Sequence, residues 1–435
     1  MRERGLEHRA GATEKGKGMR AALAHLCIAI SAIVLFKPIF FYGSHYLLVG
    51  LVASAIGLLG LFVCLSRNNG LRSPVAIRCA GFWLLLKLWQ ITPFRDNNAI
   101  GFGILYAILV GLFFFLHPDD KRSVLESLQL VFGVLGVLSA LVVILLALGV
   151  ELPYYLLEGG VRAEKGVYFY IYPGAVVMRS QVFPGLFGGT WVRSSGIFVE
   201  PGHFGVVAGL LAASNGLSLR SLRSKLVFLG GLSTFSGSFF AIVGCAMVAL
   251  TVVRAKAISA NALKWYAMTS VGLAFMGFLF LASPAEFQDR VLWNRAGISD
   301  DQDVFTGRGM DEFNQYFDQY KSEMKSLVGL GNQLDFTTSD WRAEVMRYGW
   351  LVFLFYGMLL LAMYARSRAP TDVKMGVFCA MAIVVMHRIG YLDTFLVIAV
   401  ADSAFSRGGA QDSPGGGAKD RRRRFPHQAS ETAEP

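Results

Sequence analysis

The chain has 435 residues, 54% of them hydrophobic and 16% charged, well below the roughly 25% charge of soluble domains. That balance excludes an ordinary soluble enzyme and predicts an all-α polytopic membrane protein folded as one unit. The formal charge of +11 is expected to mark cytoplasmic loops, not a nucleic-acid surface. Cys27, Cys64, Cys79, Cys245 and Cys379 all lie in or beside apolar stretches. They offer neither a disulfide framework nor a CxxC metal motif.

A helix needs about 20 apolar residues to cross the hydrocarbon core. In chain order, runs that read as spans occupy 21–36, 46–65, 75–92, 99–116, 124–149, 196–215, 265–282 and 341–365. The basic start (Arg2, Arg4, Arg9, Lys15, Lys17, Arg20) enters the first run without a small-residue cleavage site, so residues 1–20 are expected to form a cytoplasmic tail. Alternation then places Arg67, Arg72 and Arg78, Lys121 and Arg122, and Arg220, Arg223 and Lys225 on the cytoplasmic side. Arg254, Lys256 and Lys264 form the next basic cluster, so 226–253 must enter and return. It offers two helices of about 14 residues, each roughly 21 Å long, too short for two crossings of a core about 30 Å thick. A short hairpin is predicted, with "STFSGS" (233–238) at a submerged tip, where protein or water must satisfy the backbone.

The same reasoning makes 373–405 a second hairpin, tipped by "HRIGYLD" (387–393). About twelve membrane segments result, within one transmembrane domain over 21–406, with both termini in the cytoplasm. Residues 407–435, rich in glycine and arginine, read as a disordered tail. Two outer loops, 150–195 and 283–340, are long enough to carry function. The first holds "YFYIY" (168–172) and the second an amphipathic stretch from Met310 to Met324.

Polar groups gather at three places. In "RSSGIFVEPGHFG" (193–205), a helix starting at Pro201 would put Glu200 at the N-cap, Arg193 in the approach and His203 in the first turn. Its recessed N-terminus would favour an anion. In "SDWRAEVMRYGW" (339–350), Asp340, Glu344 and Arg347 recur at i, i+4 and i+7, one helix face. The third group is the tip His387–Arg388. Ionisable groups inside a membrane are costly and mark functional sites. The P-loop, HExxH and GxSxG motifs are all absent.

The order of "RSSGIFVEPGHFG", "LSTFSGS", a large loop with "GRG" and "GLGNQ", and a Gly-Trp-containing span resembles the O-antigen polymerase and ligase superfamily of bacterial envelope glycan enzymes. The likeness covers residues 190–365; the first 150 match only as generic spans. It implies a GT-C-like fold in the bacterial cytoplasmic (inner) membrane, acting on undecaprenyl-pyrophosphate-linked glycans, with flippase and chain-length regulator proteins as partners. Ser236-Gly237-Ser238 stands where the family's serine motif continues with arginine. "TTSDW" stands where the ligase branch carries histidine, and "IFVEP" resembles the exopolysaccharide polymerase branch.

Such a polymerase breaks an anomeric C–O bond with pyrophosphate as leaving group, and guanidinium groups would stabilise its developing charge. Arg193, Arg308 and Arg347 are the candidates, with Arg342 and Arg388 in reserve. Glu200, then Asp340 and His203, are candidates to take the acceptor's proton. The tyrosines of 168–172 and 316–320 are candidates for stacking on sugar rings. No cluster of Asp, Asn and Glu suggests a divalent ion, so metal-independent chemistry without a cofactor is expected. Three other readings stand beside this one: a ligase of the same superfamily, a lipid-linked-oligosaccharide flippase and a structural envelope subunit. A flippase predicts repeated halves with polar groups at the midplane, and no such repeat is visible.

Overall fold

The computed structural model describes residues 2–36, 46–67, 73–91, 97–156, 167–184, 190–198, 200–254, 348–388 and 394–406. The described residues are mostly helical. Five helices come first: α1 (Arg2–Leu35), α2 (Tyr46–Arg67), α3 (Pro74–Ile91), α4 (Asn97–Phe113) and α5 (Pro118–Ala147). α5 starts as its sequence dictates: Pro118 occupies the first turn, His117 caps it, and Asp119 and Asp120 complement the positive dipole end. Helix α1 begins at Arg2, so the basic stretch expected as a tail is itself helical.

The segment 150–195 departs from the all-α expectation. Strands β1 (Tyr155–Leu156), β2 (Val167–Tyr172), β3 (Ala175–Pro184) and β4 (Thr190–Gly196) form an antiparallel meander in the order β1-β2-β3-β4. Pro173 and Gly174 join β2 to β3, with Gly174 at φ +81°, the left-handed position that a Pro-Gly turn requires. The sheet sits on the C-terminal half of α5, where Tyr172, Ala175 and Val177 bury against Val142. Tyr172 is therefore core, which removes it from the tyrosines expected to stack on sugars. Tyr154, packed edge-on to Tyr170 at 4.9 Å, is exposed instead.

After the sheet come α6 (Pro201–Ser214), α7 (Leu222–Ser233) and α8 (Gly237–Arg254), then α9 (Leu351–Arg366), α10 (Thr371–Arg388) and α11 (Phe395–Phe405). Helix α6 is apolar all round and almost wholly buried, as a central helix must be. It packs against α7, α8, α10 and α11. A turn at 234–236 joins α7 to α8, and both helices pack on α6 and not along each other; α10 packs against α11, and residues 389–393 of the second expected tip lie outside the described residues. Helices α5 and α7 cross with backbones touching, since a Cβ on Gly136 would lie 2.8 Å from the Cα of Gly230. Small residues permit such approaches in membranes.

Three described helical stretches are long and apolar enough to cross a membrane: Gly18–Leu35, Leu47–Arg67 and Pro118–Ala147. Helices α6, α9 and α11 are apolar but shorter. The expected span 265–282 and the loop 283–340 lie outside the described residues, as does the tail 407–435.

One end of the bundle is fastened by buried charge. Lys121 Nζ lies 2.6 Å from Asp402 Oδ2, both side chains fully buried, and Arg366 Nη2 lies 3.4 Å from Asp402 Oδ1. Lys121 and Arg366 also donate to the carbonyl of Phe114, at 3.0 and 3.4 Å. These contacts tie the start of α5 to α9, α11 and the turn after α4. Lys121, expected as a solvated loop charge, is instead a core ion; its neighbour Arg122 stays exposed, paired with Glu126.

Candidate functional site

"RSSGIFVEPGHFG" is the hinge between sheet and bundle. Its first four residues finish β4, which packs on α5 and α6. Ser194 and Ser195 are fully buried, and Gly196 turns the chain at φ +61°. A side chain at Gly196 would collide with the ring of Phe204, 2.3 Å from the built Cβ. Phe198 N–H donates to the Ser195 carbonyl at 3.0 Å, closing the turn. Glu200 follows in extended conformation at the N-cap, with Pro201 opening α6, as the sequence predicts. The Glu200 carboxylate does not cap the helix.

Arg193 reaches out of β4 to the tip, the turn that joins α7 to α8. Its Nε donates to the carbonyl of Thr234 (3.2 Å) and its Nη2 to that of Phe235 (3.0 Å). Thr234 is the C-cap of α7, where carbonyls lack helical partners and the dipole is negative, so a guanidinium fits there. Protein thus satisfies two carbonyls of the turn. The turn itself is strained: Phe235 sits at φ +44°, a conformation that costs a bulky residue about 1–3 kcal/mol and recurs at functional sites. Thr234 Oγ donates to the Gly231 carbonyl (2.6 Å) and accepts from the Ser236 N–H (3.2 Å). Ser236 rests on α6 at Gly205, where an added Cβ would come within 2.6 Å of its own Cβ.

Beneath lies an aromatic floor. Phe132 of α5 packs on Phe204 (5.3 Å between centroids) and Phe198 (6.0 Å), and Phe36, after α1, meets Phe198 at 5.2 Å. The half-buried His203 ring lies edge-on to Phe36 at 5.7 Å. Arg193, Glu200, His203 and the tip thus gather around the start of α6. Arg388 is the last residue of α10; the rest of the expected tip, 389–393, lies outside the described residues. Arg308, Asp340, Arg342 and Arg347 lie outside the described residues. Tyr348, next in the chain to Arg347, accepts a 2.6 Å hydrogen bond at its carbonyl from Trp89 Nε1, beside the end of α3.

The sequence reading missed Lys87. This lysine is buried in α3, donating to Gln90 Oε1 at 3.0 Å and lying 4.6 Å from the Trp83 ring and 5.2 Å from that of Tyr106. Gln90 in turn donates to Tyr356 of α9 at 3.1 Å. The available signal was Trp83 one helical turn before a lone lysine, the i,i+4 spacing of a cation–π pair. Among the described residues, metal-ligating side chains from different elements gather at His25, Cys64 and Asp120, towards the N-terminal end of α5.

No protein-family model, curated protein or solved structure matches the chain. Its functional reading therefore rests on the residues and their geometry.

Proposed function

We propose that the protein is a polysaccharide polymerase of the outer face of the bacterial cytoplasmic membrane, joining undecaprenyl-pyrophosphate-linked repeat units. The observation that carries this reading is the contact of Arg193 with the carbonyls of Thr234 and Phe235. It joins the two stretches, "RSSGIFVEP" and "STFSGS", on which the resemblance rests. A buried serine-rich turn held by an arginine, facing a helix N-terminus with a carboxylate at its N-cap, suits a site for an anionic, hydroxyl-bearing substrate.

In the reaction, the acceptor's terminal hydroxyl oxygen attacks the anomeric carbon of the donor glycan. The C–O bond to the pyrophosphate breaks, its electron pair leaves with undecaprenyl pyrophosphate, and the hydroxyl proton passes to Glu200. Asp340 and His203 are the alternative bases. Arg193 positions the tip, while Arg308 and Arg347, with Arg342 and Arg388 in reserve, meet the developing charge on the pyrophosphate. No step in this scheme calls for a metal ion.

Glu200→Gln tests the assignment, because an amide keeps the shape but takes no proton at neutral pH. Glycan extension should fall to the level of a deletion strain while the variant still inserts. Normal chain length would remove Glu200 as the base.

A further inference from the structure

His25 of α1, Cys64 of α2 and Asp120 of α5 each point a ligand atom into one spot, all within 4.8 Å of one another. His25 Nε2 lies 2.8 Å from Asp120 Oδ1. All three residues are buried, Cys64 completely. We propose that these residues form a binding site for a divalent transition-metal ion of zinc type, clipping α1 and α2 onto the start of α5.

The donor set fits that ion. Zinc takes imidazole nitrogen, thiolate sulfur and carboxylate oxygen at about 2.0–2.3 Å. Tetrahedral donors at those distances stand roughly 3.4–3.7 Å apart, so small side-chain shifts complete the site. Charge favours it too: thiolate and carboxylate together neutralise a divalent cation, and a neutral assembly is the cheapest to bury. Softness favours zinc over magnesium or calcium, which prefer oxygen ligands alone. The site is separate from the one around α6. Asp120 and Phe132, which floors that site, stand about 18 Å apart along α5. Three protein donors leave a fourth position for a water, and their burial suits a structural clip.

A His–Asp hydrogen bond beside an inert buried thiol is the competing description, in which Cys64 is a small hydrophobe. Cobalt separates the two, because only a thiolate ligand adds a sulfur-to-cobalt charge-transfer band. The full-length protein, purified in detergent and stripped with chelator, should bind Co2+ with such a band, and Zn2+ should displace it. Cys64→Ser should abolish the band, and His25→Gln, whose amide still donates to Asp120, should weaken binding by about 10-fold or more. A wild-type protein with no band overturns the proposal, even if the variants fail to fold. A band that survives Cys64→Ser overturns it as well and marks an adventitious ion only.

Discussion

Arg193 illustrates why a guanidinium differs from any other cation. Two of its N–H groups reach two successive carbonyls of a strained turn, a planar fork that an ammonium cannot reproduce. Arg193→Ala should release the tip and slow glycan extension by about 100-fold, the scale of a misplacement near 1 Å. Arg193→Lys should recover little of it, with membrane insertion normal in both. Equal chain length in all three proteins, read on a glycan gel, would deny the contact any role. Asp402 makes a different case, since it holds both Lys121 and Arg366 in the core. Removing one partner of a buried pair costs about 3–5 kcal/mol. Asp402→Asn, which leaves two cations behind, should therefore lower the unfolding temperature in detergent more than Lys121→Met does. The reverse order would show that Asp402 is not the centre of the network.

Among the elements, the helices were the most legible. The spans read at 46–65 and 75–92 correspond to α2 and α3, because unbroken apolar runs of that length have few alternatives in a membrane chain. Charge placement pointed to a break near 233–238, where a turn separates α7 from α8, and Pro201 marked the start of α6. The sheet was not legible as such, although "VYFYIY", the pair Pro173-Gly174 and "AVVM" form a hairpin signature. The expectation of an all-helical bundle overrode it. The buried ions were hidden for another reason: Lys121 and Asp402 lie far apart in sequence, and a Lys-Arg pair at a helix start looks like loop charge. At this scale the sharpest test is Gly205, the seat of Ser236 on α6. Gly205→Val should push the turn at Ser236 away and abolish extension while leaving the variant inserted and helical. Activity within about two-fold of wild type would mean that the tip tolerates displacement, against the tight packing of protein interiors.

Taken whole, the molecule gathers polar groups at two ends of α5. One carries the sheet, the start of α6 and the tip held by Arg193; the other carries the Lys121 network and the His25–Cys64–Asp120 cluster. The topology inferred from charge puts the first end outside and the second in the cytoplasm. Ser238→Cys, buried beside the tip, should label slowly and only from outside, and Ala257→Cys only from the cytoplasm. Rapid labelling of position 257 from outside would invert this part of the map. The central claim, polymerisation of lipid-linked repeats, is tested most directly by the glycan profile of cells lacking the protein. Single repeat units, still made and exported, should replace long chains. Long polymer accumulating on the undecaprenyl carrier, unattached to its final acceptor, would contradict it and identify a ligase.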